Sequence, residues 1–153
     1  MDVKERTTAM SEVGTKVKIK LVSAIRPTDG ERETYEMWLQ GAIIVKAGKS
    51  YLRYEEVQDD QTIRTTVKLM GDQAVITRSG AVSMRMLLNP EQKERGHYES
   101  PYGSLPIETK THKLLDETNT GSKSGRFMTQ YDLIIGGNSV GHYTLEIHYS
   151  EVQ

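Results

Sequence analysis

The chain has 153 residues, enough for one domain with a sizeable core; 36% are hydrophobic and 27% charged, which suits a thin-walled β fold with one wet face. With 20 basic and 21 acidic residues the net charge is −1, so no global field draws in nucleic acid or an anionic membrane. The absence of cysteine excludes a disulfide, a zinc thiolate and a thiol nucleophile.

Met1–Thr15 is polar, lacks an apolar h-region, and reads as a frayed N-terminal segment of a cytoplasmic protein without a signal peptide. No run of about 18 apolar residues follows that could span a bilayer. Residues 16–153 read as a single barrel domain. Lys16–Arg26 alternates Val17, Ile19 and Leu21 with Lys16, Lys18 and Lys20, a strand with one basic face. Pro27-Thr28-Asp29-Gly30 is a turn, since proline fixes φ and Asp-Gly closes the bend. Glu33–Ala47 carries the only tryptophan, Trp38, and changes apolar parity at Gly41, which predicts a bulge or a barrel bend there. Strands follow over Ser50–Val57, Thr62–Met70, Ala74–Arg78 and Ala81–Leu88, joined by short polar turns. Asn89–Gly96 is a charged loop containing Pro90. His97–Thr111 is extended but interrupted by Pro101 and Pro106, which places it at a bulge or sheet edge. Leu114–Thr120 leads into Gly121-Ser122-Lys123-Ser124-Gly125, a flexible hairpin loop; a strand follows it, whereas a phosphate-cradling Walker loop needs a helix.

The last hairpin is the clearest. Phe127, Thr129, Tyr131, Leu133 and Ile135 alternate with Met128, Gln130, Asp132 and Ile134, and Tyr143, Leu145, Ile147 and Tyr149 with His142, Thr144, Glu146 and His148. A three-residue loop, Gly136-Gly137-Asn138, would pair Tyr131 with Tyr143 and Phe127 with Ile147 and bring the two apolar faces together. Together the segments make about nine or ten strands at roughly ten-residue spacing, as expected of an all-β sandwich or barrel. The consecutive short turns favour an up-and-down meander.

Four stretches in order carry a resemblance: Tyr51-Leu52-Arg53-Tyr54-Glu55-Glu56, then Thr65-Thr66-Val67-Lys68, then Thr77 to Met84 (TRSGAVSM), then Tyr98-Glu99-Ser100-Pro101-Tyr102-Gly103. The chain resembles the YwiB-like family of uncharacterised small bacterial proteins from about Lys16 to Tyr149. That resemblance implies a calycin-like, lipocalin-like barrel and brings no reaction with it. The chain departs from true lipocalins: Trp38 is not in a Gly-x-Trp motif and no secretory start precedes it.

Little here reads as catalytic chemistry. The histidines His97, His112, His142 and His148 show no metal-ligand spacing; in the hairpin register His142 faces Asp132 and His148 faces Arg126, as surface cross-strand pairs. Glu55-Glu56 and Asp59-Asp60 are adjacent, so on a strand their carboxyls face opposite ways and form no acid–base couple. No Gly-x-Ser-x-Gly elbow is present. Met70, Met84, Met86 and Met128 read as core filler or as an adaptable apolar cavity. The candidate ligand-binding set is Arg78, Tyr54, Glu56, Tyr98 and Tyr102. Tyr54 and Glu56 share parity with Leu52, and Arg78 with Ala74 and Ile76, so all three should face inward. A guanidinium with phenolic donors can hold a carboxylate or phosphate. The competing reading is a buried Glu56–Arg78 pair that only closes the barrel.

The fold expected is therefore all-β, one antiparallel up-and-down barrel of about eight to ten strands. The function expected is non-enzymatic binding of a small, partly apolar, anionic ligand inside it, with no cofactor, no metal and no membrane partner. The alternatives are an interaction or assembly module with a filled barrel, working through a face of the barrel or as a homodimer, and, more weakly, single-stranded nucleic-acid binding through Lys16, Lys18, Lys20 and nearby tyrosines.

Overall fold

A computed structural model describes residues 14–119 and 123–152. The N-terminal segment expected to fray therefore falls outside the description apart from Gly14 and Thr15, and so does the Gly121-Ser122 part of the expected loop. Ten strands follow one another: β1 (Thr15–Pro27), β2 (Glu33–Lys46), β3 (Lys49–Gln58), β4 (Gln61–Leu69), β5 (Ala74–Gly80), β6 (Ser83–Leu88), β7 (Glu94–Ser100), β8 (Gly103–Asn119), β9 (Ser124–Ile135) and β10 (Asn138–Glu151). Each pairs antiparallel with its chain neighbours, and β1 closes the barrel by pairing with β10 as well as β2. The described residues contain no helix.

Tight turns follow from local chemistry. Ala47-Gly48, Asp59-Asp60 and Gly136-Gly137 each take positive φ at both positions, and each joins strands across a two-residue loop. That geometry matches the right-handed twist of the strands it connects. The last hairpin thus corrects the expected three-residue loop: Ile135 pairs with Asn138, not Ser139. A bulge at Val140 then restores the predicted register, Tyr131 with Tyr143 and Phe127 with Ile147. The inserted residue does what the longer loop was invoked to do, keeping both apolar faces inward.

Three further expectations change. The charged loop from Asn89 is shorter than its composition suggests, because β7 begins at Glu94. Asn89 holds the turn itself, its side-chain oxygen accepting from the Glu91 amide and its Nδ2 donating to Glu94. The His97–Thr111 stretch is two strands: Pro101 sits in the β7–β8 turn, and Pro106 lies just beyond the β8–β9 ladder, which starts at Ile107. A missing N–H is tolerated on that unpaired side. At Gly41 the ladders run without a register shift, so the parity change is no bulge. It marks where β2 gains β3 as a second partner: β2 pairs with β1 from Glu33 to Ile43 but with β3 only from Gly41 to Lys46. A Cβ at Gly41 would lie 2.2 Å from the Arg53 carbonyl oxygen, so the strands can meet this closely only at glycine.

Inward residues at one end of the barrel form a close-packed core around Val17, Ile19, Leu52, Val67, Leu88, Phe127 and Ile147. Leu145, expected in that core, is only half buried and borders a cavity at the other end. Phe127 is fully buried, so Phe127→Ala should cost about 3–5 kcal/mol in urea unfolding, as large-to-small core changes do. Trp38→Ala, at a residue 71% exposed, should stay within about 0.5 kcal/mol.

Candidate functional site

Before Gly41, from Glu33 to Gln40, β2 has no β3 ladder, and the Glu55–Gln58 end of β3 pairs with β4 alone. The barrel interior opens between them as a cavity of about 590 Å³. Its apolar wall includes Leu21, Ile25, Met37, Ile76, Met84 and Leu133, and its polar groups include Tyr54, Glu56, Thr65, Arg78, Tyr131 and Tyr143, together with Ser23, Tyr35, Glu36, Gln58 and Thr144. The volume lies within the range of small-molecule sites, as does an apolar lining with a few placed polar groups.

Register explains the polar cluster. Tyr54, Thr65 and Arg78 lie side by side on β3, β4 and β5, and Glu56 sits two residues along from Tyr54 on the same inner face. Arg78 Nη2 donates to Glu56 Oε1 at 3.4 Å; their side chains are 28% and 9% exposed. The contact is long for a charge-assisted bond and engages one nitrogen of a guanidinium that carries five N–H donors. Gln58 Nε2 also reaches Glu56, at 3.5 Å. Burial, reinforced by the Glu56 carboxylate, pushes the Tyr54 phenol up from 10.0 to about 12, while Arg78 and the nearby Thr65 hydroxyl pull the other way. Thr65 Oγ1 itself is sealed from solvent and completes no hydrogen bond among the described residues.

Tyr131 and Tyr143 stack across β9 and β10, with ring centroids 5.2 Å apart and planes 5° from parallel. Burial raises the Tyr131 phenol strongly, with Tyr143 adding to the shift and Arg78 opposing it. The alternation of the last hairpin marked Tyr131 and Tyr143 as inward residues, but nothing in sequence tied them to Arg78. Only barrel closure places β9 and β10 across from β5.

Of the five candidate residues, Tyr54, Glu56 and Arg78 come together as their parity predicts. Tyr98 lies on β7 opposite Met84, half buried against the core and outside the cavity lining. Tyr102 does not take part: it is 98% exposed, because Pro101-Tyr102 is the tip of the β7–β8 turn rather than an inward strand position. Of the methionines, Met86 is buried and borders the cavity with Met84, whereas Met128 is opposite Glu146 and Leu115 on the outer face. The basic stripe on β1 is partly engaged: Lys20 Nζ lies 5.2 Å from the Trp38 ring centroid and 3.9 Å from Glu36.

Residues 19–147 match the family described as a domain of unknown function, DUF1934. The chain belongs to this family. It is 27% identical over 128 residues to the uncharacterised β-barrel protein YwiB of Bacillus subtilis (strain 168), covering 84% of this chain and 89% of YwiB. The crystal structure of the B. subtilis ywiB protein is similar at a TM-score of 0.79 and 27% identity, over 91% of this chain and 93% of that one. The likeness agrees with the barrel fold and leaves the activity open. No helix among the described residues is long and apolar enough to cross a membrane.

The tyrosines give a pH test. A phenol whose value is raised on folding stays neutral longer in the native state than in the unfolded one. Its contribution is intact below pH 10.0, the unfolded value, and is lost as pH rises from there toward about 12. Stability should therefore fall steeply over that window, and Tyr54→Phe should flatten the fall, measured by urea unfolding with phenolate absorbance followed in parallel. Identical slopes for wild type and variant would show that Tyr54 titrates normally.

Proposed function

We infer that this protein is a non-enzymatic binder of a small, partly apolar ligand with an anionic end, held inside the open end of the barrel. One observation carries the reading: a cavity of about 590 Å³ has apolar walls around an Arg78 that is only loosely engaged by Glu56. An anion entering between β2 and β3 would meet guanidinium donors in a low-dielectric setting, where hydrogen bonds are stronger than in water. The phenols of Tyr54, Tyr131 and Tyr143 supply further donors. Glu56 then orients the guanidinium, and the apolar walls take the rest of the ligand.

A dansylated fatty acid and its methyl ester test this. Wild-type protein should bind the acid at least about tenfold tighter than the ester, since hydrogen bonds to charged groups contribute roughly 1.5–3 kcal/mol. Arg78→Met alone leaves Glu56 buried without its partner and should cost about 3–5 kcal/mol. The double variant Arg78→Met/Glu56→Gln removes both charges, should recover most of that stability, and should still fail to distinguish acid from ester. A wild type that binds neither probe would refute the ligand reading and leave the pair a structural one.

A second reading has its own observation. The Glu33–Gln40 segment of β2 pairs with β1 alone and carries the exposed Trp38. An unpaired strand edge is a template for strand addition, so homodimerisation through β2 is the competing proposal. Sedimentation of wild type as a monomer at high concentration would exclude it.

A further inference from the structure

Along the chain, His112 and His142 are far apart, and their spacing suggests no metal site. The barrel puts them on either side of one carboxylate. Asp132 lies on β9, with His142 directly opposite on β10. On its other side, the β8–β9 register slips between Thr111 and Lys113, so His112 is the extra residue of a β-bulge. Bulges of this kind re-aim a side chain, and here the imidazole is turned onto Asp132. His142 Nδ1 lies 2.8 Å from Asp132 Oδ1 and His112 Nε2 lies 2.9 Å from Asp132 Oδ2. The two rings are 5.6 Å apart between centroids, and one ligand atom from each of the three residues lies within 4.8 Å of the others.

The geometry points to a divalent transition-metal site on the outer wall of the barrel, formed by His112, Asp132 and His142. Imidazole nitrogens and a carboxylate oxygen are the donor set that zinc and its neighbours in the first transition row take up. Ligand atoms of a four-coordinate ion at about 2.0–2.1 Å stand roughly 3.3 Å apart, so donors that lie within 4.8 Å of one another would close by up to about 1.5 Å through side-chain rotation. All three residues reach solvent, and the two imidazoles are the more exposed. The ion would replace the hydrogen bonds that now tie each ring to Asp132. Three protein ligands leave a coordination position for water or an outside donor. The neighbouring cations, Lys110 opposite Asp132 and Arg26 opposite His142, are exposed and long enough to swing clear. This wall is distinct from the cavity: the inward neighbours of Asp132 on β9 are Tyr131 and Leu133, which line the cavity.

The experiment is equilibrium dialysis of untagged protein against zinc alone, with cobalt absorption as a second readout of coordination. Wild type should take up one zinc per chain and give the visible bands of a low-coordinate cobalt site. His112→Gln and His142→Gln should each weaken uptake roughly tenfold or more, and the pair together should abolish it. His97→Gln/His148→Gln should bind as wild type does. All of these positions are at the surface, and unchanged urea transitions without metal would confirm that each variant folds. Absent stoichiometric zinc in wild type, or uptake that survives in His112→Gln/His142→Gln, would overturn the assignment.

Discussion

A closed barrel widens with each strand it adds, and ten strands enclose more room than side chains fill evenly along its length. This constraint governs the rest of the structure, because the two ends of the barrel meet it differently. At one end Ile19, Leu52, Val67, Leu88, Phe127 and Ile147 converge on a shared axis and exclude water. At the other, the inward positions include Ser23, Tyr54, Glu56, Thr65 and Arg78, whose polar tips cannot pack into an apolar plug. The result is a barrel solid at one end and hollow at the other.

Gly41 marks where β3 joins β2. By permitting a backbone approach that any Cβ would block, it lets β2 join β3 over six residues while Glu33–Gln40 stays with β1 alone. The wall is therefore complete around the core and parted beside the cavity. Across the sheet the β6–β7 ladder is also short, three residue pairs from Ser83 to Arg85. There threonine hydroxyls reinforce the packing, with Thr109 donating to the Leu87 carbonyl at 2.6 Å and Thr111 accepting from the Asn89 amide.

Most of the fold was legible because period-two alternation reports burial directly: the inward sets on β1, β3, β4, β9 and β10 follow the pattern of their apolar residues. The same rule placed Tyr54, Glu56 and Arg78 on one surface. It failed where backbone geometry, not composition, sets the direction of a side chain. Tyr102 belongs with Tyr98 in the candidate set by sequence, yet Pro101-Tyr102 makes the turn between Ser100 and Gly103. The Val140 and His112 bulges leave no compositional mark, since one extra residue in a strand looks like any other. Relations across the barrel, such as Tyr131 with Arg78, depend on closure and on register between distant strands.

If one end of the barrel is hollow, there is room for a larger side chain at Ser23, an inward position on the cavity wall. The most direct measurement is the unfolding free energy of Ser23→Leu against wild type. A hollow end predicts equal or higher stability, because added apolar surface would be buried without displacing a neighbour. A loss of about 1–3 kcal/mol, the usual cost of overpacking a filled interior, would contradict the account.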